Sequence, residues 1–201
     1  FYLLLTGELP NKEALEDLQW ELKRRSDVPF YVWNTINALP IETHPMVVLN
    51  SAVLVMENES FFRKRYEEGM PKDMLWEPML WDALNLIARI PIIAAYIYRR
   101  KFTKGPRINP DNNLDWAANY ARLLGTEDPD GSFADLMRLY MVLHCDHEGG
   151  NVSALATQTI NSALSDIYFS VSGGLNGLAG PLHGLANQEC LRFIVRLRDD
   201  I

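Results

Sequence analysis

Apolar residues recur at spacings of three and four along most of this chain, the period of a helix with one buried face. Ala14, Leu15, Leu18 and Leu22 hold that spacing behind Asn11, a residue suited to an N-cap, and predict a helix over 12–25. Pro29 opens a second helix through Leu39, and Pro40 stops it. Thr43-His44-Pro45-Met46 begins a third, running to Met56, whose residues are apolar nearly all round. Such a helix belongs in a core or in a subunit interface. Further helices are expected over 60–69, 77–100 (kinked at Pro91), 114–124 and 133–143. Gly, Pro and Asn crowd 101–113, which reads as an exposed loop. Gly149-Gly150 interrupts the chain and Asn151 restarts it as an N-cap, with Val152, Leu155 and Ala156 expected on the buried face. No stretch alternates with the period of two that marks a strand. The fold class is all-α.

Composition narrows the function more than the fold. With 201 residues, 48% of them apolar, the chain can bury a sizeable core. A formal charge of −7 argues against a nucleic-acid surface. Lys23-Arg24-Arg25 and Arg99-Arg100-Lys101 read as solvated helix ends, with cations near the negative pole. The longest apolar stretch, 86–97, carries Arg89 and Pro91, so no membrane span is expected. Two cysteines make no disulfide framework and fit a reducing compartment. The chain starts inside an apolar element and stops inside a helical pattern, so it reads as part of a longer protein.

Two strings carry the candidate chemistry. The first is His147-Glu148-Gly149-Gly150-Asn151-Val152-Ser153, where an imidazole, an Asn side chain and free amides converge on a helix start. A carboxylate-bearing substrate suits such a place. The second is Gly180-Pro181-Leu182-His183-Gly184, where Gly and Pro stop the backbone and a new helix begins near Leu185. An imidazole beside a helix start can serve as a neutral donor and acceptor, which suits proton transfer at a developing enolate oxygen. Competing readings are weaker. His144 and His147 share a helical face with Asp146 nearby but lack further metal ligands. Asp128-Pro129-Asp130 opens like a calcium loop but has no closing glutamate. Ser153 and Ser172 lie in no nucleophile elbow, and His44 is assigned a structural role.

These strings resemble citrate synthase of the eukaryotic mitochondrial type. The likeness rests on 147–153, on Ser162-Ala163-Leu164-Ser165-Asp166 and on 175–189, with weaker collinear similarity through Thr43-His44-Pro45-Met46 and Leu114-Asp115-Trp116. It implies that acetyl-CoA condenses with oxaloacetate and that the citryl thioester is hydrolysed to citrate and CoA, the opening step of the tricarboxylic acid cycle. His183 is then the catalytic histidine that hydrogen-bonds the acetyl carbonyl. His147 and Asn151 belong to the oxaloacetate pocket, and Leu182 lines the acetyl-CoA side. The resemblance implies no cofactor and no metal, a homodimer, and a mitochondrial matrix location. It places 1–183 in a large helical domain and 184–201 at the start of a small one. The family's second catalytic histidine, its carboxylate base and its clamping arginines fall outside these 201 residues, so the segment alone is expected to be inactive. Two alternatives stay open: a 2-methylcitrate synthase using propionyl-CoA, and a non-catalytic citrate synthase-like structural subunit.

Overall fold

A computed structural model describes residues 1–146 and 148–199. Among the described residues all regular structure is helical, in the order α1 (Tyr2–Thr6), α2 (Lys12–Arg24), α3 (Phe30–Ala38), α4 (Pro45–Val55), α5 (Phe61–Glu67), α6 (Trp76–Lys101), α7 (Trp116–Leu124), α8 (Ser132–Leu143), α9 (Val152–Asn161), α10 (Ile167–Leu178) and α11 (Ala186–Asp199). The caps explain many of these starts. Asn11, Asp115, Asn151 and Asp166 each accept a backbone N–H of the following first turn. His44 does the same for Met46 with its ring Nδ1 at 3.2 Å, which is the structural role expected of it. Asp128 closes no calcium loop. Its carboxylate takes the N–H groups of Phe133 and Ala134 at 2.9 Å each and so caps α8.

The central helix is α6, which packs on α2, α4, α5, α7 and α10. With the turn before it, it is long and apolar enough to cross a bilayer. In this structure it forms the heart of the core: Leu86, Ile92, Ile93, Ala95 and Ile97 are buried beside Val32, Ile36, Val48, Val53 and Met56. The helix continues unbroken across Pro91. Proline cannot donate to the carbonyl four residues back, so Ile87 loses its helical partner. The indole of Trp116 replaces it, donating from Nε1 to Ile87 O at 3.1 Å. A long-range side chain thus repairs the one ladder position that the imino acid removes.

Polar groups in the interior are paired just as specifically. Asp82 on α6 is fully buried and accepts from Ser60 Oγ and from the N–H groups of Phe61 and Phe62. A residue of one helix therefore caps another. Burial pushes the Asp82 carboxyl above its ordinary value, against the pull of those three donors. The Arg25 side chain is buried between Glu21, Asn85 and the Trp81 carbonyl, with its guanidinium on the Trp81 ring at 3.7 Å. The loop after α6 is exposed, as expected, yet it is tied down from beneath. Buried Arg99 donates to the carbonyls of Pro106, Leu124 and Lys104.

Replacing Trp116 with Phe keeps the ring and removes the donor. We expect a loss of about 1–2 kcal/mol of stability in urea denaturation. In a Pro91→Ala background, residue 91 regains its own N–H and the same substitution should cost clearly less. Equal costs in both backgrounds would disprove the repair.

Candidate active site

The site is built by one helical hairpin. Residues 162–166 turn the chain back sharply, with Leu164 in the left-handed region (φ 61°) and Asn161 Nδ2 donating to Ser165 O. So short a turn makes α9 and α10 antiparallel neighbours, and the start of α9 comes to lie against the end of α10. Three glycines set how close they come. A Cβ at Gly173 would sit 1.9 Å from Ile160 Cδ1, one at Gly174 2.2 Å from Thr157 Oγ1, and one at Gly177 2.8 Å from Val152 Cγ1. At Gly174, where the Ser153 carbonyl oxygen would also stand 2.9 Å away, and at Gly177 a Cβ has no room, whereas at Gly173 the Ile160 side chain would have to turn aside.

Beyond α10 the chain makes a compact turn. The N–H groups of His183 and Gly184 both return to Gly180 O, at 3.0 and 2.9 Å. A Cβ on Gly184 would stand 2.0 Å from the carbonyl oxygen of Leu178, so this turn is folded tightly under the helix end. It delivers the half-buried His183 to the start of α9, where its Nε2 lies 2.8 Å from Ser153 Oγ. Ser153 Oγ is also 2.8 Å from Asn151 Oδ1, which accepts from Ala154 N as well. Asn151 Nδ2 donates to Glu148 O at 2.7 Å. Two motifs thirty residues apart in sequence therefore share one hydrogen-bonded chain, Glu148–Asn151–Ser153–His183.

Its chemistry follows from counting protons. The serine hydroxyl has one proton and two neighbours able to take it. When it donates to His183 Nε2, the neutral ring carries its own proton on Nδ1 and offers that to a carbonyl oxygen. In that arrangement Ser153 sets the tautomer of the His183 ring; when the serine donates to Asn151 Oδ1 instead, the ring donates from Nε2 to Ser153 Oγ. Sequence reasoning passed over it because it looked for a nucleophile motif. The available signal was its place two residues after an N-cap Asn, on the helix face that meets α10.

The remaining predicted residues fall as follows. Asn151 is the N-cap of α9, and both ends of its amide are engaged within 148–154. Leu182 is fully exposed next to His183, free to meet a ligand arriving from that side. His147 lies outside the described residues. One packing expectation is overturned. Leu155 is more than half exposed and turns away from α10, where Ser153, Thr157 and Ile160 line the glycine seam; Val152 is also more than half exposed, although its Cγ1 meets the seam at Gly177. His144 stacks on Tyr140 with centroids 4.0 Å apart, and its Nδ1 meets Tyr140 O.

With this geometry established, known proteins define the class. The family model described as "Citrate synthase, C-terminal domain" matches residues 1–200. The chain belongs to the citrate synthase family. Mitochondrial citrate synthase 4 of Arabidopsis thaliana is 51% identical over 193 residues, 96% of this chain and 40% of that protein. A peroxisomal citrate synthase of Saccharomyces cerevisiae is 46% identical, covering 100% of this chain and 43% of its own length. A mitochondrial 2-methylcitrate synthase of Yarrowia lipolytica is also 46% identical, with coverages of 100% and 43%. The crystal structure of citrate synthase from Pyrobaculum aerophilum superposes with a TM-score of 0.85 at 32% identity, over 98% of this chain and 48% of that one. The chain thus spans about two fifths of the length of the curated relatives it matches.

Ser153→Ala should leave the helices intact and release the His183 ring. Long-range ¹H–¹⁵N spectra are expected to change from one ring tautomer to a mixture, and an unaltered ring spectrum would refute the coupling. Gly174→Ala should open the seam, costing about 1–3 kcal/mol by overpacking and disturbing the same ring signals.

Proposed function

We propose that the protein containing this chain condenses acetyl-CoA with oxaloacetate to give citrate and CoA. The observation that carries this reading is the His183–Ser153 contact: with the serine proton directed to Nε2, the other ring nitrogen is a donor beside an exposed Leu182. In this reaction a base removes a proton from the acetyl methyl group, and charge develops on the thioester oxygen. Nδ1–H of His183 stabilises that oxygen. The enol carbon then forms the new C–C bond at the keto carbon of oxaloacetate. Water cleaves the citryl thioester, releasing CoA. His147 and Asn151 hold the keto-diacid, Asn151 by fixing the α9 N-terminus whose amides face negative charge. Leu182 bounds the acyl side. The methyl-proton base and the carboxylate-clamping arginines come from the part of the relatives' length that this chain does not span.

Residues 1–183 form the large domain and 184–201 begin the small one, with the turn around His183 as the hinge. The reading draws support from α11, which presents Leu191, Phe193, Ile194 and Leu197 to solvent and is joined to α8 by Asn187 Nδ2 donating to Tyr140 OH. The protein works as a homodimer, with exposed Val47 and Leu54 on α4 and Phe169 on α10 covered by the partner subunit. We read α6 as the core helix of a globular domain and place the protein in the mitochondrial matrix, in line with the Arabidopsis relative's name. A propionyl-CoA-using 2-methylcitrate synthase is the second reading, favoured by the Yarrowia relative, because one methylene changes binding in an apolar pocket by only about 1–3 kcal/mol.

The test uses the full-length protein in a thiol-release assay with both acyl-CoAs. Acetyl-CoA should have the higher kcat/KM, and the reverse order would favour the second reading. His183→Ala should lower kcat at least about a hundredfold while oxaloacetate affinity holds. An unchanged rate would remove His183 from the mechanism, and no thiol release by the unmodified protein with either acyl-CoA would leave a structural subunit as the better account. The 201-residue segment alone should release no CoA, and citrate formed by it would refute our placement of the base.

A further inference from the structure

A second, separate feature lies where α3, the end of α6 and the loop after it meet. There the surface forms an open groove of about 420 Å³ whose walls include Trp33, Asn37, Tyr96, Arg100 and Arg107. None of its lining residues belongs to the Ser153–His183 chain, and none is acidic, in a chain with 26 carboxylate side chains against 19 Lys and Arg.

The groove is a built structure. Trp33 and Tyr96 meet edge to face, with centroids 5.3 Å apart and planes at 89°. Tyr96 OH donates to Asn37 Oδ1 at 2.7 Å, which fixes that amide with its NH2 end free to donate. Arg107 lies over the Trp33 ring at 4.5 Å. Among the described residues it has no carboxylate partner, so its N–H fork stays available. Arg100 is anchored by one donation to Leu39 O and keeps further donors. The loop bearing Arg107 is held from below by Arg99, whose guanidinium fills the space behind Gly105 (φ 91°) and bonds the carbonyls of Lys104 and Pro106. Buried Arg99 thus sets the position of exposed Arg107. The basic run 99–101, expected to be a uniform solvated helix end, is divided: Arg99 supports the loop, Arg100 lines the groove, and Lys101 pairs with Glu42.

Two guanidinium groups and one amide NH2 point donors into a space where no carboxylate competes. A group with several acceptor oxygens answers that arrangement, and planar walls add a stacking surface for a ring. We propose that this groove is a binding site for an organic phosphate, separate from the catalytic histidine.

Isothermal titration of the protein at low salt with pyrophosphate and with ADP tests this. Both should bind with a Kd of about 1 mM or tighter, more weakly as salt rises. ADP binding more tightly than pyrophosphate would show that the ring is read, and equal affinities would assign the site to phosphate alone. Arg107→Gln should weaken both about tenfold, the share expected of a charge-assisted contact. Arg65→Gln removes the same unit charge elsewhere on the surface and should change neither. Thermal melts check that both variants fold, and His183→Ala should retain binding, which separates this site from the proposed reaction. Absence of binding, equal loss in the two arginine variants, or loss in His183→Ala would each overturn the proposal.

Discussion

The close approach of α9 to α10 is the constraint from which the geometry of the candidate site follows. Gly173, Gly174 and Gly177 leave no Cβ between the helices, so Thr157, Ser153 and Val152 rest almost on the backbone of α10. Glycine inside a helix costs about 1 kcal/mol of propensity relative to alanine. Three of them within five residues would be a poor helix in isolation. They are tolerated because the packed seam places a serine hydroxyl where the turn after α10 delivers an imidazole.

The rest of the molecule keeps that hairpin in place through polar groups that solve one another's deficits. Trp116 satisfies the carbonyl that Pro91 strands, Asp82 caps a helix to which it does not belong, and Asp166 caps α10 with two N–H bonds. The first two reach across elements, and the third is a local N-cap. Tyr168 is wholly buried at the foot of α10, and burial near Asp82 pushes its hydroxyl far above the ordinary tyrosine range. The phenol is therefore neutral and packs in the α6 core, at the end of the hairpin away from Ser153 and His183.

Much of this was legible in local chemistry. Asn11, His44 and Asn151 announced helix starts because capping depends on residues only two or three positions away. The helix Ile167–Leu178 was not legible: Ser170, Ser172 and three glycines look like loop until the partner that needs them is known. The inward face of α9 was misread for the same reason. Of the apolar candidates Leu155 turns away and Val152 meets the seam only with one methyl at Gly177, while Ser153, Thr157 and Ile160 line the rest of it. His183 and Asn151 were singled out by motif. Their link through Ser153 required the third dimension, since thirty residues separate the serine from the ring.

Arg99 carries a consequence of its own. Its guanidinium is held by carbonyl oxygens alone, whereas Arg138 relies on the carboxylates of Asp115 and Asp135. Carbonyls do not titrate and arginine keeps its proton throughout the accessible range. Acidification that dissolves the Arg138 pairs therefore leaves the fastening of residues 104–106 to α6 untouched. That segment should be among the last surface features to loosen as the solution turns acid.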